Sequence, residues 1–91
     1  MARLPNFDCM ESDDLMALWI QYRDMSRAEC ARLLGGKPKG YTGIGKTIAG
    51  YISNKATAMS CRRRGDIRAA LMYEGIADRI YDHDIPAKLR W

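Results

Sequence analysis

The sequence predicts an all-α domain of four helices, two short ones followed by a long antiparallel hairpin. Three observations carry this. Apolar residues recur at helical spacing, capping residues and glycines fall where those runs begin and stop, and no segment has the alternation or β-branched enrichment of a strand. Ninety-one residues suit one domain, near the lower limit for a self-sufficient core. A core this small makes self-association an expectation.

Residues 1–11 read as an irregular segment with a turn at Pro5-Asn6, from which Leu4, Phe7 and Met10 could dock as an apolar strap. Ser12 is the expected N-cap of the first helix, with Asp13 and Asp14 placing negative charge where the helix dipole favours it. Leu15, Leu18, Trp19 and Tyr22 then share one face of a helix running to about Arg23. Ser26 and Glu29 have capping-box spacing and open a short second helix, whose buried side is Cys30, Ala31, Leu33 and Leu34. Gly35-Gly36 stops it, because glycine readily takes the left-handed conformation at a helix end.

Residues 35–46 form a loop rich in glycine and lysine, and the hairpin occupies residues 47–82. Its first helix should begin near Gly45 and run to about Arg64, with Ile48, Tyr51, Ile52, Ala56 and Met59 as its apolar stripe. Arg62, Arg63 and Arg64 suit the negative end of its dipole, and Gly65 ends it. Asp66 caps the last helix, for which Ala69, Met72, Tyr73, Ile76 and Ile80 are the expected core side. Ala70 and Ala77 would let a neighbour come close. Asp82-His83-Asp84 closes that helix ahead of Pro86, and the Leu89-Arg90-Trp91 tail should pack back on the body.

Charge is segregated along the chain. Residues 1–24 carry a net −3, residues 25–68 a net +8 and residues 69–91 a net −1. The basic middle could meet nucleic acid, a nucleotide or an acidic protein, or equally the acidic ends of its own chain or of another copy. Cys9, Cys30 and Cys61 are odd in number and widely spaced, which fits neither a disulfide framework nor a zinc site. No apolar run is long enough to span a membrane and no secretory apolar region is evident, so a cytoplasmic setting is expected.

Two resemblances follow from particular residues. Gly65-Asp66-Ile67 followed by Ala70 and Ala77 resembles the interior of a tetratricopeptide-type unit, in which glycine makes the turn between two antiparallel helices and alanines sit at their contact. The likeness covers about residues 50–86, with Glu74 where that family usually has an aromatic residue and a single unit where the family stacks several. It implies a helical hairpin. The longer phrase from Asn54 to Tyr81 is similar to small uncharacterised proteins encoded by tailed phages, which implies an accessory role in a host cytoplasm and carries no catalytic residues.

Gly40-x-x-x-x-Gly45-Lys46-Thr47 satisfies the phosphate-loop pattern. In such loops glycines turn backbone N–H groups around phosphate oxygens, lysine neutralises charge and a helix N-terminus adds its dipole. The preceding residues are a helix end and not a buried strand, and no strand supplies a second magnesium-binding aspartate, so an NTPase is not expected. A phosphate or anion site at Gly43, Gly45, Lys46 and Thr47, helped by Lys37 and Lys39, is the sharper expectation, with Arg62, Arg63, Arg64 and Arg68 as supporting charge. Ser26 through Ile52 can also be read as a helix-turn-helix offering Lys46, Tyr51, Asn54 and Lys55 to a DNA groove, although its connection is longer than the usual turn. His83 between two aspartates reads as a polar helix end, and the tyrosines, tryptophans and six methionines suit a core or an adaptable interface. No nucleophile–base pair or paired carboxylates stand out. The combined expectation is a non-enzymatic binding module without metal or cofactor that engages an anionic ligand or an acidic protein. The rival from another class is an inhibitory or structural protein working through an apolar interface.

Overall fold

The computed structural model describes residues 4–35 and 43–91. Among these are four α-helices: α1 (Ser12–Arg23), α2 (Arg27–Leu33), α3 (Ile44–Arg63) and α4 (Ile67–Arg79). A π-helical turn over Ile80–Asp84 and a short turn over Ala87–Leu89 complete the chain, and no strand occurs among the described residues. The fold is all-α, as the spacing predicts.

Local signals place most boundaries. The Ser26 hydroxyl accepts from the Glu29 amide at 3.2 Å and the Glu29 carboxylate accepts from the Ser26 amide at 3.1 Å, closing the capping box of α2. Gly65 adopts φ +83 between α3 and α4. Around it the Asp66 amide donates to the Cys61 carbonyl at 2.9 Å and the Gly65 amide to the Arg62 carbonyl at 3.0 Å, the paired bonds of a Schellman ending. Asp66 then caps α4 through the Ala69 amide at 3.2 Å. One boundary differs. Ser12 is the first residue of α1 and not its cap; Glu11 takes the cap position, with the Asp14 carboxylate accepting from its amide at 3.4 Å. Ser12 is buried instead and accepts from the Arg63 guanidinium at 2.7 Å.

The 20-residue α3 is the middle of the molecule. Both α1 and α4 pack along it, and they hardly touch each other. Both run antiparallel to it. Ser12 at the start of α1 meets Arg63 at the end of α3, while Tyr22 and Met25 meet Gly45 at its start. Glu74 pairs with Arg62, and Ile80 lies beside Gly50. Successive residues turn by about 100°, so the contacts to α1 and to α4 fall on broadly opposite sides of α3. The result is a three-helix layer.

One side of this layer is covered. Phe7 is fully buried and packs edge-on against Trp91 at 4.9 Å and Tyr22 at 6.1 Å. Tyr51 of α3 lies 5.0 Å from the Trp91 ring, and Tyr81 lies 4.6 Å from it while its hydroxyl donates to the Trp91 carbonyl at 2.6 Å. The N-terminal strap and the tail thus close over α3 together, as expected of Leu4, Phe7 and Trp91. Met10 packs only in part. The Arg90 side chain donates to the Tyr81 and Ile85 carbonyls, each at 3.1 Å, satisfying backbone oxygens where the π-helical turn ends.

The face of α4 requires a correction. Its buried residues are Ala70 and Ala77; of the expected core side Ala69, Tyr73 and Ile80 are half-buried, whereas Met72 is 53% exposed and Ile76 37%. Two alanines seven residues apart form a narrow flat strip that brings α4 close to α3. The larger apolar side chains, set 100° or more around the helix, are left off the seam.

Two glycines give opposite expectations. A Cβ on Gly45 would meet the Tyr22 carbonyl oxygen at 2.5 Å and the Met25 Cβ at 2.8 Å, whereas a Cβ on Gly75 would meet nothing within 4 Å. Gly45→Ala should lose about 1–3 kcal/mol by overpacking. Gly75→Ala should gain about 0.5–1 kcal/mol from helix propensity. Thermal melts of the two variants check both signs.

Candidate functional site

The anion-site residues predicted from sequence separate into groups. Gly43 is the partly buried N-cap of α3, and Gly45 is buried with its backbone against the end of α1. Ile44 is wholly buried. The Thr47 amide donates to the Gly43 carbonyl at 3.1 Å, the opening bond of the helix. Lys46 is exposed and forms no ion pair among the described residues. Lys37 and Lys39, with Gly40 of the phosphate-loop pattern, lie outside the described residues.

The arginines stand at the far end. From Lys46 to Arg64 is 18 residues, or about 27 Å along the helix axis, so these groups cannot share one phosphate. Several basic side chains already have intramolecular partners. Arg62 makes a two-pronged contact with Glu74, one arm at 2.8 Å, which holds the Glu74 carboxyl below its usual range. Arg63 donates to Ser12 at the acidic start of α1, and Arg64 donates to the Cys61 sulfur at 3.5 Å. Lys55 pairs with Asp8 at 2.8 Å, and its hydrogen bond is the main cause lowering the Asp8 carboxyl below its ordinary value. Burial, then the charge of Asp8, pushes the nearby Tyr51 hydroxyl well above its ordinary range. Part of the basic middle therefore meets acidic or polar groups of its own chain.

The groove-reading set of the helix-turn-helix expectation is likewise divided. Tyr51 is buried, the Asn54 amide donates to the Gly50 carbonyl at 2.7 Å and Lys55 is held by Asp8. Lys46 alone of the four is exposed. Among the described residues no group of three or more His, Cys, Asp or Glu could hold a metal, and no helix is long and apolar enough to cross a membrane.

A different feature emerges on the side of the layer opposite Phe7 and Trp91. At 100° per residue, Gly50, Ser53, Thr57 and Ser60 line up along α3, all half-buried. The Thr57 hydroxyl donates its one proton to the Ser53 carbonyl at 2.8 Å, within the helix. This floor consists of small residues, three of them bearing hydroxyls. On the α1 side stand Met16, 45% exposed, and Ile20, 51% exposed. On the α4 side stand Met72 and Ile76. Helix handedness, with both flanking helices antiparallel to α3, puts these two pairs on the same side of the layer. That side of the layer, a row of small residues on α3 with exposed apolar side chains on the helices to either hand, is called the trough below; Ile67 and Leu71 are exposed on the other flank of α4.

This trough was not predicted. Its signal is present, since Met16 and Ile20 are four residues apart, as are Met72 and Ile76, but such spacing marks a core face and a docking face alike.

No protein-family model matches the chain, and no curated protein or solved structure matches it either.

Proposed function

We propose that the chain is a non-enzymatic protein-binding module whose docking surface is the trough over α3. The observation that carries this reading is that four large apolar side chains, Met16, Ile20, Met72 and Ile76, are exposed on the two helices that flank a row of small residues on α3. Large apolar side chains clustered on one side of a small protein suit an interaction site. Methionine walls adapt their shape to what they hold, and a floor of glycine, serine and threonine lets a helix backbone come close.

Replacing Met72 and Ile76 together by lysine should leave the stability of the dilute chain within about 0.5 kcal/mol per site, as for other exposed positions. The folded parent in dilute solution should bind the uncharged apolar dye Nile red, and the double variant should lose most of that fluorescence. Equal dye binding by both proteins would contradict the reading.

One observation supports a second role, engagement of an anionic partner. Lys46 is exposed at the start of α3, without an ion pair among the described residues, at the end of the layer where the lysine-bearing loop joins. The partner classes are the phosphates of a nucleotide or nucleic acid, or an acidic protein surface. If a short DNA or RNA duplex is bound there, Lys46→Ala should weaken it and lower the salt slope of binding by about one. Unchanged affinity and slope would remove the Lys46 site.

A further inference from the structure

We propose that the strap over Leu4–Met10 is a lid that opens as one unit while α1, α3 and α4 stay packed, and that the contact between Asp8 and Lys55 is its latch.

The way the strap is attached carries this. Its own main-chain bonds are internal. The Cys9 amide donates to the Asn6 carbonyl at 3.3 Å, the Met10 amide to the Phe7 carbonyl at 3.2 Å and the Asp8 amide to the Asn6 side chain at 3.0 Å. Among the described residues no backbone hydrogen bond joins the strap to a helix. It is held by the buried side chains of Leu4 and Phe7, by Met10 packed in part, and by the Asp8–Lys55 ion pair. Ordering each strap residue costs backbone entropy, and burying two large apolar side chains offsets only part of that. A segment attached in this way opens at a free energy well below that of the whole fold. The hinge is equally defined. Met10 and Glu11 are both extended, and the next residue, Ser12, is buried and bonded to Arg63. Opening therefore stops where α1 begins.

Asp8 suits a latch because three segments meet at its carboxylate. Lys55 of α3 pairs with it at 2.8 Å, and the Trp91 indole of the tail and the Tyr51 hydroxyl of α3 also face it and favour its charged form. The Asp8 side chain is nonetheless 60% exposed, so water and salt reach the contact. Opening would part Asp8 from Lys55 and lift Phe7 from its seat, which the rings of Tyr22, Tyr51 and Trp91 bound. The chain itself thus keeps an aromatic seat filled until the strap leaves it.

Chymotrypsin tests lid and latch on the full chain, because Phe7 is fully buried and can be cut only from an open strap. The bond after Phe7 should be cut first, at a rate that rises far less with added urea than cutting after Tyr51 inside α3. Equal urea dependence at the two bonds would mean that the strap leaves only when everything unfolds, and would overturn the lid. Lys55→Met keeps the cleaved sequence unchanged. It should speed the Phe7 cut about two- to fivefold, as loss of a partly exposed ion pair allows, with helix content by circular dichroism unchanged. An unchanged rate would overturn the latch. Should Lys55→Met lose helix content, the parent protein in rising sodium chloride replaces it. Screening should then speed the Phe7 cut, and a rate indifferent to salt would overturn the latch.

Discussion

The fold depends on α3 being held from two sides by helices that hardly hold each other. Its start is fixed where the Gly45 backbone lies against the Tyr22 carbonyl, a contact that leaves no room for a side chain. Its middle is fixed by Ile48 and Ile52, both fully buried, and by Tyr51 beneath Phe7 and Trp91. Its end is fixed by Arg63 reaching Ser12 and Arg62 reaching Glu74. The aromatic cover closes one side of the layer. No described segment closes the other, and the exposed apolar walls of α1 and α4 follow from that asymmetry.

The charge pattern takes on a different meaning in this setting. As a sequence the middle of the chain is strongly basic, which suggests an external anion. In the fold Lys55, Arg62 and Arg63 turn toward Asp8, Glu74 and Ser12 of the same chain. Exposed contacts of this kind contribute little stability, but they decide which charges remain for a partner. What remains divides between the two ends of α3, with Lys46 at one and Arg64 and Arg68 at the other. A ligand spanning both would have to be extended.

Features encoded by neighbouring residues were legible from the sequence, and those encoded across the chain were not. The Ser26–Glu29 box, the Gly65 turn and the Asp66 cap are each complete within a few residues, and each appears as read. Gly45 looks like part of a phosphate loop because the pattern is local, whereas the contact that requires a glycine there comes from Tyr22, on another helix. Ser12 looks like a cap because its distant partner, Arg63, is invisible in one dimension. The face of α4 was misassigned for a related reason. Its apolar arc is wider than one helix contact, and only three-dimensional packing decides that Ala70 and Ala77 take the seam while Met72 and Ile76 do not. The same ambiguity hid the trough, because a half-buried serine or threonine on α3 carries no mark of what lies above it.

Hydrogen exchange resolved to single amides tests most directly whether α3 is the element on which the others are assembled. Amides inside the last unit to open exchange only through global unfolding, and those of more loosely held elements exchange sooner. The amides of Ile52 and Ala56 should be the slowest in the protein, with mid-helix amides of α1 and α4, such as Trp19 and Gly75, no slower and the edges faster. Slower exchange in α1 or α4 than at the centre of α3 would contradict the account.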